Sequence, residues 1–254
     1  MVKTQNSFRL LYVSERFAAV WKLVGLAGVA GVLISGNPVD YQRKIEFAGH
    51  TWLVKEHNTK EGPGPNYFSD ADSSAWVDDK GNLHLTIRKE NEKWLCSEVI
   101  CLTPLTLGTL EIEIKKTIRP GDPNCVLGFF TWLSGKVRDH KEIDIELSSW
   151  GKAKNKFNTQ FVVQPARKKK NKDRFILQNT DNYLFRMDIS KNKTEFSAID
   201  QKNNKLVRRS ILKSRIRDLE GVKARINFWL YKGIPPLTGT KQEVIISAFK
   251  FIPS

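Results

Sequence analysis

After its first 36 residues the chain runs in short stretches of alternating apolar and polar positions, broken by Gly, Pro, Asn and Asp. This is the pattern of an antiparallel all-β domain. Leu83-His-Leu-Thr-Ile87 and Leu110-Glu-Ile-Glu-Ile114 alternate strictly and predict half-buried strands; the first follows a hairpin signal, Asp78-Asp-Lys-Gly-Asn82. Val126 to Leu133 is mostly apolar, follows the turn Arg119-Pro-Gly-Asp-Pro-Asn124 and predicts an inner strand of stacked sheets. Residues 160–164, 183–189, 224–231 and 244–251 supply further strands at regular spacing, and only Ser210 to Leu219 has helical spacing. The expected fold is an antiparallel β-sandwich or jelly roll with a concave cleft.

One predicted strand carries an unusual burden. In Lys141-Glu-Ile-Asp-Ile-Glu-Leu-Ser-Ser-Trp150 the acids Glu142, Asp144 and Glu146 occupy alternate positions and share one face, while Ile143, Ile145 and Leu147 take the other. Three carboxylates on one face repel each other, so an ordinary surface strand would not carry them. Glycoside hydrolysis gives them a use: a retaining enzyme needs one carboxylate as nucleophile and a second, kept protonated, as acid and then base. Crowding raises a carboxyl pKa, so the three would titrate as a cluster. Cα atoms four residues apart on a flat strand lie about 13 Å apart, whereas a retaining pair needs carboxyl groups about 5 Å apart. The side chains must therefore lean together on a twisted sheet; a wider gap would point to inversion.

Composition changes the picture at the ends and on the surface. With 254 residues, 40% of them hydrophobic, the chain can build one sizeable core without a metal or disulfide framework. Residues 1–22 hold Lys3, Arg9, Arg16 and Lys22 against Glu15, and Leu23 to Gly36 has no charge. That segment falls short of the roughly 20 residues that span a bilayer. Residues 1–36 are expected to be a signal peptide or membrane anchor and residues 37–254 the working domain, secreted or held on the outer face of the cytoplasmic membrane. A buried helix is the other reading of the apolar stretch. Cys96, Cys101 and Cys125 allow at most one internal disulfide and fit no metal spacing. The net charge is +15, of which the leader carries +3. The densest basic run, Arg167 to Arg174, is a solvated loop or a patch for sulfated glycan, nucleic acid or an anionic membrane surface, and the basic charge as a whole would suit a sulfated or uronic substrate.

On the acidic strand, the chain resembles glycoside hydrolase family 16, the laminarinase and lichenase group, whose signature Glu-Ile-Asp-Ile-Glu lies on a strand of a concanavalin-like jelly roll. Flanking segments match in order: Gly62-Pro-Gly-Pro-Asn-Tyr-Phe68, Trp76-Val-Asp78, Gly81-Asn-Leu-His-Leu85, Leu107-Gly-Thr-Leu-Glu111, Gly128-Phe-Phe-Thr-Trp132 and Asn227-Phe-Trp-Leu230, so the similarity covers about residues 45 to 253. It implies a double-displacement mechanism with Glu142 as nucleophile, Asp144 as assisting acid and Glu146 as general acid and base. The family stacks sugar rings on aromatics in an open cleft, for which Trp132, Trp150 and Trp229 are candidates, each with burial in the core as its alternative. Asn227 shares the polar face of its strand with Trp229, opposite Ile226, Phe228 and Leu230. Gln160 and Gln164 lie opposite Phe161 and Val163 and would line the groove beside the acids. Asn66 matches the family's sugar-binding Asn by its place in a Gly/Pro-rich loop. The histidine common in that neighbourhood is absent, which leaves the sugar open.

The expected activity is an endo-acting, retaining hydrolase of β-linked glucan or galactan, working as a monomer. It needs no cofactor; some relatives carry structural calcium, but no diagnostic ligand set stands here. A lectin-like protein that keeps the acids without the activity is the alternative on the same fold. A nucleic-acid-binding protein would explain the net charge but neither the leader nor the acidic strand, so nucleic acid is not an expected partner. Membrane contact is expected only through the N-terminal segment.

Overall fold

The computed structural model describes residues 43–116, 122–135, 141–178, 181–214 and 216–254. The expected leader, residues 1–36, and the start of the expected turn at Arg119 lie outside the described residues.

Among the described residues seventeen strands follow in chain order: β1 (Lys44–Phe47), β2 (His50–Val54), β3 (His57–Glu61), β4 (Asn66–Phe68), β5 (Ala75–Val77), β6 (Leu83–Glu90), β7 (Lys93–Cys101), β8 (Gly108–Lys116) and β9 (Cys125–Trp132). Then come β10 (Ile143–Leu147), β11 (Thr159–Val163), β12 (Lys172–Phe175), β13 (Tyr183–Ser190), β14 (Lys193–Asp200), β15 (Lys205–Lys213), β16 (Lys223–Leu230) and β17 (Gln242–Pro253). Two antiparallel sheets result. One runs β12-β11-β10-β9-β16-β7-β2-β1 and holds the acidic strand near its middle. The other runs β5-β6-β17-β8-β13-β14-β15. The β6–β7 hairpin joins them, and β4 adds to β7 in parallel.

Alternation decides which side of each strand enters the core. Leu110, Ile112 and Ile114 of β8, and Tyr183, Phe185, Met187 and Ile189 of β13, are buried between the sheets. Rings lock the sheets face to face: Trp52 and Phe129 of one meet Phe249 of the other edge-on at 4.9 and 6.1 Å, and Phe161 stacks on Phe196 at 4.9 Å. Ile143, Ile145 and Leu147 enter this core, as the alternation predicts, which turns the intervening acids outward.

Two expectations change. Ser210–Leu219 is not helical: residues through Lys213 finish β15, pairing with Lys193–Phe196 of β14, because a tight hairpin already aligns the two strands. The described residues beyond it form no helix. The Lys-rich run is only partly a loop, since a single 3-10 turn at Lys169–Asn171 leads into β12. Phe175 drives this, packing its ring 4.8 Å from Phe161 and pulling the end of the charged run into the sheet. The three cysteines are all free and buried.

Candidate active site

Strand register places the acids in a continuous row. Glu98 of β7, Asn227 of β16, Gly128 of β9, Glu146 of β10, Gln160 of β11 and Arg174 of β12 stand opposite one another in turn. The adjacent row is Ile100, Arg225, Phe130, Asp144, Val162 and Lys172. Residues paired across a sheet share a face, so both rows line one surface. Over it lies a cleft of about 760 Å³ bounded by the three acids, Glu98, Gly128, Phe130, Trp132, Arg225, Asn227 and Trp229, and on the far wall by the segment from Lys55 to Pro63. Glu142 precedes β10, but its carbonyl accepts from the Gln164 N–H at 3.1 Å, which extends the ladder by one residue.

Asp144 and Glu146 are each held by a neutral amide donor. Gln160 Nε2 donates to Glu146, and its own Oε1 accepts from Arg174 Nε at 2.8 Å. Gln164 Nε2 donates to Asp144 Oδ2 at 3.0 Å, while its Oε1 accepts from the Ala166 N–H at 2.7 Å. With each amide oxygen committed, each NH2 group must face its carboxylate. Burial pushes the Asp144 carboxyl well above the usual range, and the charges of Glu142 and Glu146 and a hydrogen bond from Asp144 to Glu142 push it further. Burial also raises Glu146, against the opposing pull of Gln160, Trp150 and the Arg174 guanidinium. Trp150 packs under Arg174 at 4.4 Å, and its indole N–H is buried beside Glu146 without a well-formed hydrogen bond of its own.

Of the expected sugar contacts, Trp132, Asn227 and Trp229 line the cleft, whereas Gln160, Gln164 and Trp150 lie around or beyond the acids. Asn227 Oδ1 is buried without a hydrogen-bond partner among the described residues and lies over Gly128, where a Cβ would come within 2.4 Å of it. Glycine at this point opens the cleft floor beside Glu146. Asn66 differs: both hydrogens of its buried amide are committed, to Pro63 O and Leu230 O at 2.8 Å each, so it holds the loop against the end of β16.

Sequence reasoning missed Glu98, Lys55, Arg225 and Arg174. Glu98 is 1% exposed and bridges Arg225 Nη1 at 2.8 Å and Lys55 Nζ at 3.5 Å, pairing with two cations in the cleft. No local motif marks such a group, because its partners are distant in the chain. Arg174 was hidden inside a run of lysines.

No protein-family model and no curated protein sequence matches the chain. Solved structures do. A Bacteroides ovatus family 16 glycoside hydrolase from a mixed-linkage glucan locus, in complex with an oligosaccharide product, aligns with TM-score 0.62 at 14% identity over 79% of this chain and 94% of its own. A Bacillus licheniformis β-glucanase aligns with TM-score 0.59 at 15% identity over 80% and 92% of the two chains. A Mycobacterium tuberculosis protein described as an immunostimulatory antigen and pseudo β-1,3-glucanase aligns with TM-score 0.62 at 18% identity over 80% and 91%. These likenesses establish the fold: the described domain is a jelly roll of the kind on which family 16 glucanases are built.

Proposed function

We propose that the chain is an endo-acting glycoside hydrolase that cleaves β-linked glucan or galactan with retention of configuration. The observation that carries this reading is the set of three acids at one edge of an open cleft, two of them driven towards the protonated form by burial. Glu146, raised and held by Gln160, serves as the acid that protonates the departing glycosidic oxygen. Glu142 attacks the anomeric carbon, forming a glycosyl-enzyme bond as the bond to the leaving sugar breaks. Glu146, now ionised, takes a proton from water, which displaces Glu142 and regenerates both carboxyl groups. Asp144 shares a hydrogen bond with Glu142 and positions it. Trp132 and Trp229 offer ring faces to sugars and Asn227 a hydroxyl acceptor. The basic, then uncharged, composition of residues 1–36 supports a place of action outside the cytoplasm.

The test is reducing-end release from laminarin, lichenan, agar, carrageenan and keratan sulfate. Wild type should cleave at least one, with the first-formed product keeping the substrate's anomeric configuration. Glu142→Gln should abolish cleavage, and activity should decline as pH rises through the elevated Glu146 pKa. A second reading, a catalytically silent sugar-binding protein, has support from the pseudo-glucanase on the same fold. Wild type and Glu142→Gln binding sugars alike with no cleavage of any would favour it and refute the hydrolase.

A further inference from the structure

The cleft ends at the acids. Among the described residues its lining comes from β7, β9 with Ser134 and Gly135 after it, Glu142 with β10, β16 and the Lys55–Pro63 segment, and no residue of β11 or β12 contributes. A glycan that fills the cleft and reaches Glu142 and Glu146 therefore has its scissile bond at the cleft's edge, and the rest of the chain must run over β11 and β12.

The two sides differ in charge. Within the cleft the cations Lys55 and Arg225 both pair with Glu98, and Lys55 also with Glu61 at 3.3 Å, so two carboxylates balance the two cations. Beyond the acids, residues 152–174 hold nine Lys and Arg and a single acid, Asp173. Pleating turns Asp173 to the back of the sheet, where it accepts from Arg208 of the opposite sheet at 2.6 Å. Lys172 and Arg174 thus face the glycan path, and neither has a carboxylate within salt-bridge distance among the described residues. Edge strands are often charged to prevent sheet-to-sheet pairing, which explains basic residues on either face. It does not explain a guanidinium seated on Trp150, fixed through Nε by Gln160 and left with both terminal nitrogens without an acceptor among the described residues. Such a fork is preorganised for a planar or tetrahedral anion.

We propose that the face of β12 is a subsite for an anionic sugar, bearing a sulfate ester or a carboxylate, which Arg174 and Lys172 hold on the β11–β12 side of the scissile bond. The inference rests on the catalytic assignment of Glu142 and Glu146 only for where that bond lies. It makes the substrate a polyanionic glycan rather than a neutral one.

Binding to the cleavage-deficient Glu142→Gln protein separates this question from catalysis. Oligosaccharides of κ-carrageenan (sulfate), alginate (carboxylate) and laminarin (neutral) would be titrated at low and high salt, with single-stranded DNA as an unrelated polyanion. At least one anionic sugar should bind about tenfold or more tightly than laminarin at low salt, an advantage that salt erodes. Which one does so identifies the anion. Adding Lys172→Gln and Arg174→Gln should remove the advantage, whereas Lys168→Gln with Lys170→Gln, in the neighbouring exposed turn, should keep it; Arg174→Lys should recover part. Equal binding of charged and neutral sugars, loss only with the Lys168 and Lys170 changes, or DNA binding as tight as the sugars and equally dependent on Lys172 and Arg174 would each overturn the subsite. Failure of catalysis would show instead as no reducing ends from wild type on any sugar.

Discussion

A carboxyl group buried between two others is stable only while it keeps its proton, and Asp144 is in that position. Its folded-state pKa lies above the unfolded value, so the folded protein retains a proton that the unfolded chain releases. Stability from this group is fully present below about pH 4 and is lost as pH rises through the elevated pKa, by up to about 1.4 kcal/mol per pH unit within that window. Asp144→Asn removes the titration. Urea unfolding of the two proteins from pH 4 to 7 should therefore show the variant gaining on wild type as pH rises; parallel profiles would mean that Asp144 does not keep its proton on folding. The acids were legible from sequence because alternation alone puts them on one face, where like charges demand an explanation. Gln160 and Gln164 followed from the same parity on their own strand. Glu98 and Arg225 did not, since what makes them part of the site is a 2.8 Å ion pair between strands 127 residues apart in sequence.

Strand β10 begins where the chain leaves a left-handed residue, Lys141 at φ 46°, and a side chain anchors that entry. Thr131 Oγ1, fully buried on β9, donates to Lys141 O at 2.8 Å and accepts from Ile143 N–H at 3.1 Å, so the hydroxyl replaces a backbone rung on both sides of Glu142. Thr131→Val keeps the shape and leaves both groups without a partner. It should destabilise the protein by about 1–3 kcal/mol and, by loosening Glu142, lower kcat more than it raises KM. An unchanged kcat in the still-folded variant would show that Glu142 is positioned by its other contacts. Elements were legible where period and burial agreed, as in β8 and β13. Ser210–Leu219 misled because its helical spacing is weaker than the ladder with β14, which no local window contains. The strand β12 was readable only from the apolar Phe175 that closes the charged run, and its parity then separates Arg174 on the cleft face from Asp173 on the back.

In the whole molecule, the cleft floor and the hydrophobic core are two faces of the same strands. Phe129 enters the core between Gly128 and Phe130, which face the cleft, and Phe249 of the opposite sheet touches Phe129, Trp52 and His50 with ring centroids at 6.1, 4.9 and 5.2 Å. Truncating Phe249 removes a central contact between the sheets and should cost about 3–5 kcal/mol, read as a lower urea midpoint. The cleft rows are set by backbone ladders among β7, β16, β9, β10 and β11, none of which includes Phe249. The folded fraction of Phe249→Ala, assayed well below its melting temperature, should therefore keep kcat close to wild type on whichever glycan the protein cleaves. A kcat loss beyond the unfolded fraction would show that the floor under Glu146 depends on pressure from the opposite sheet. In that case the sandwich would be part of the catalytic apparatus and not only its support.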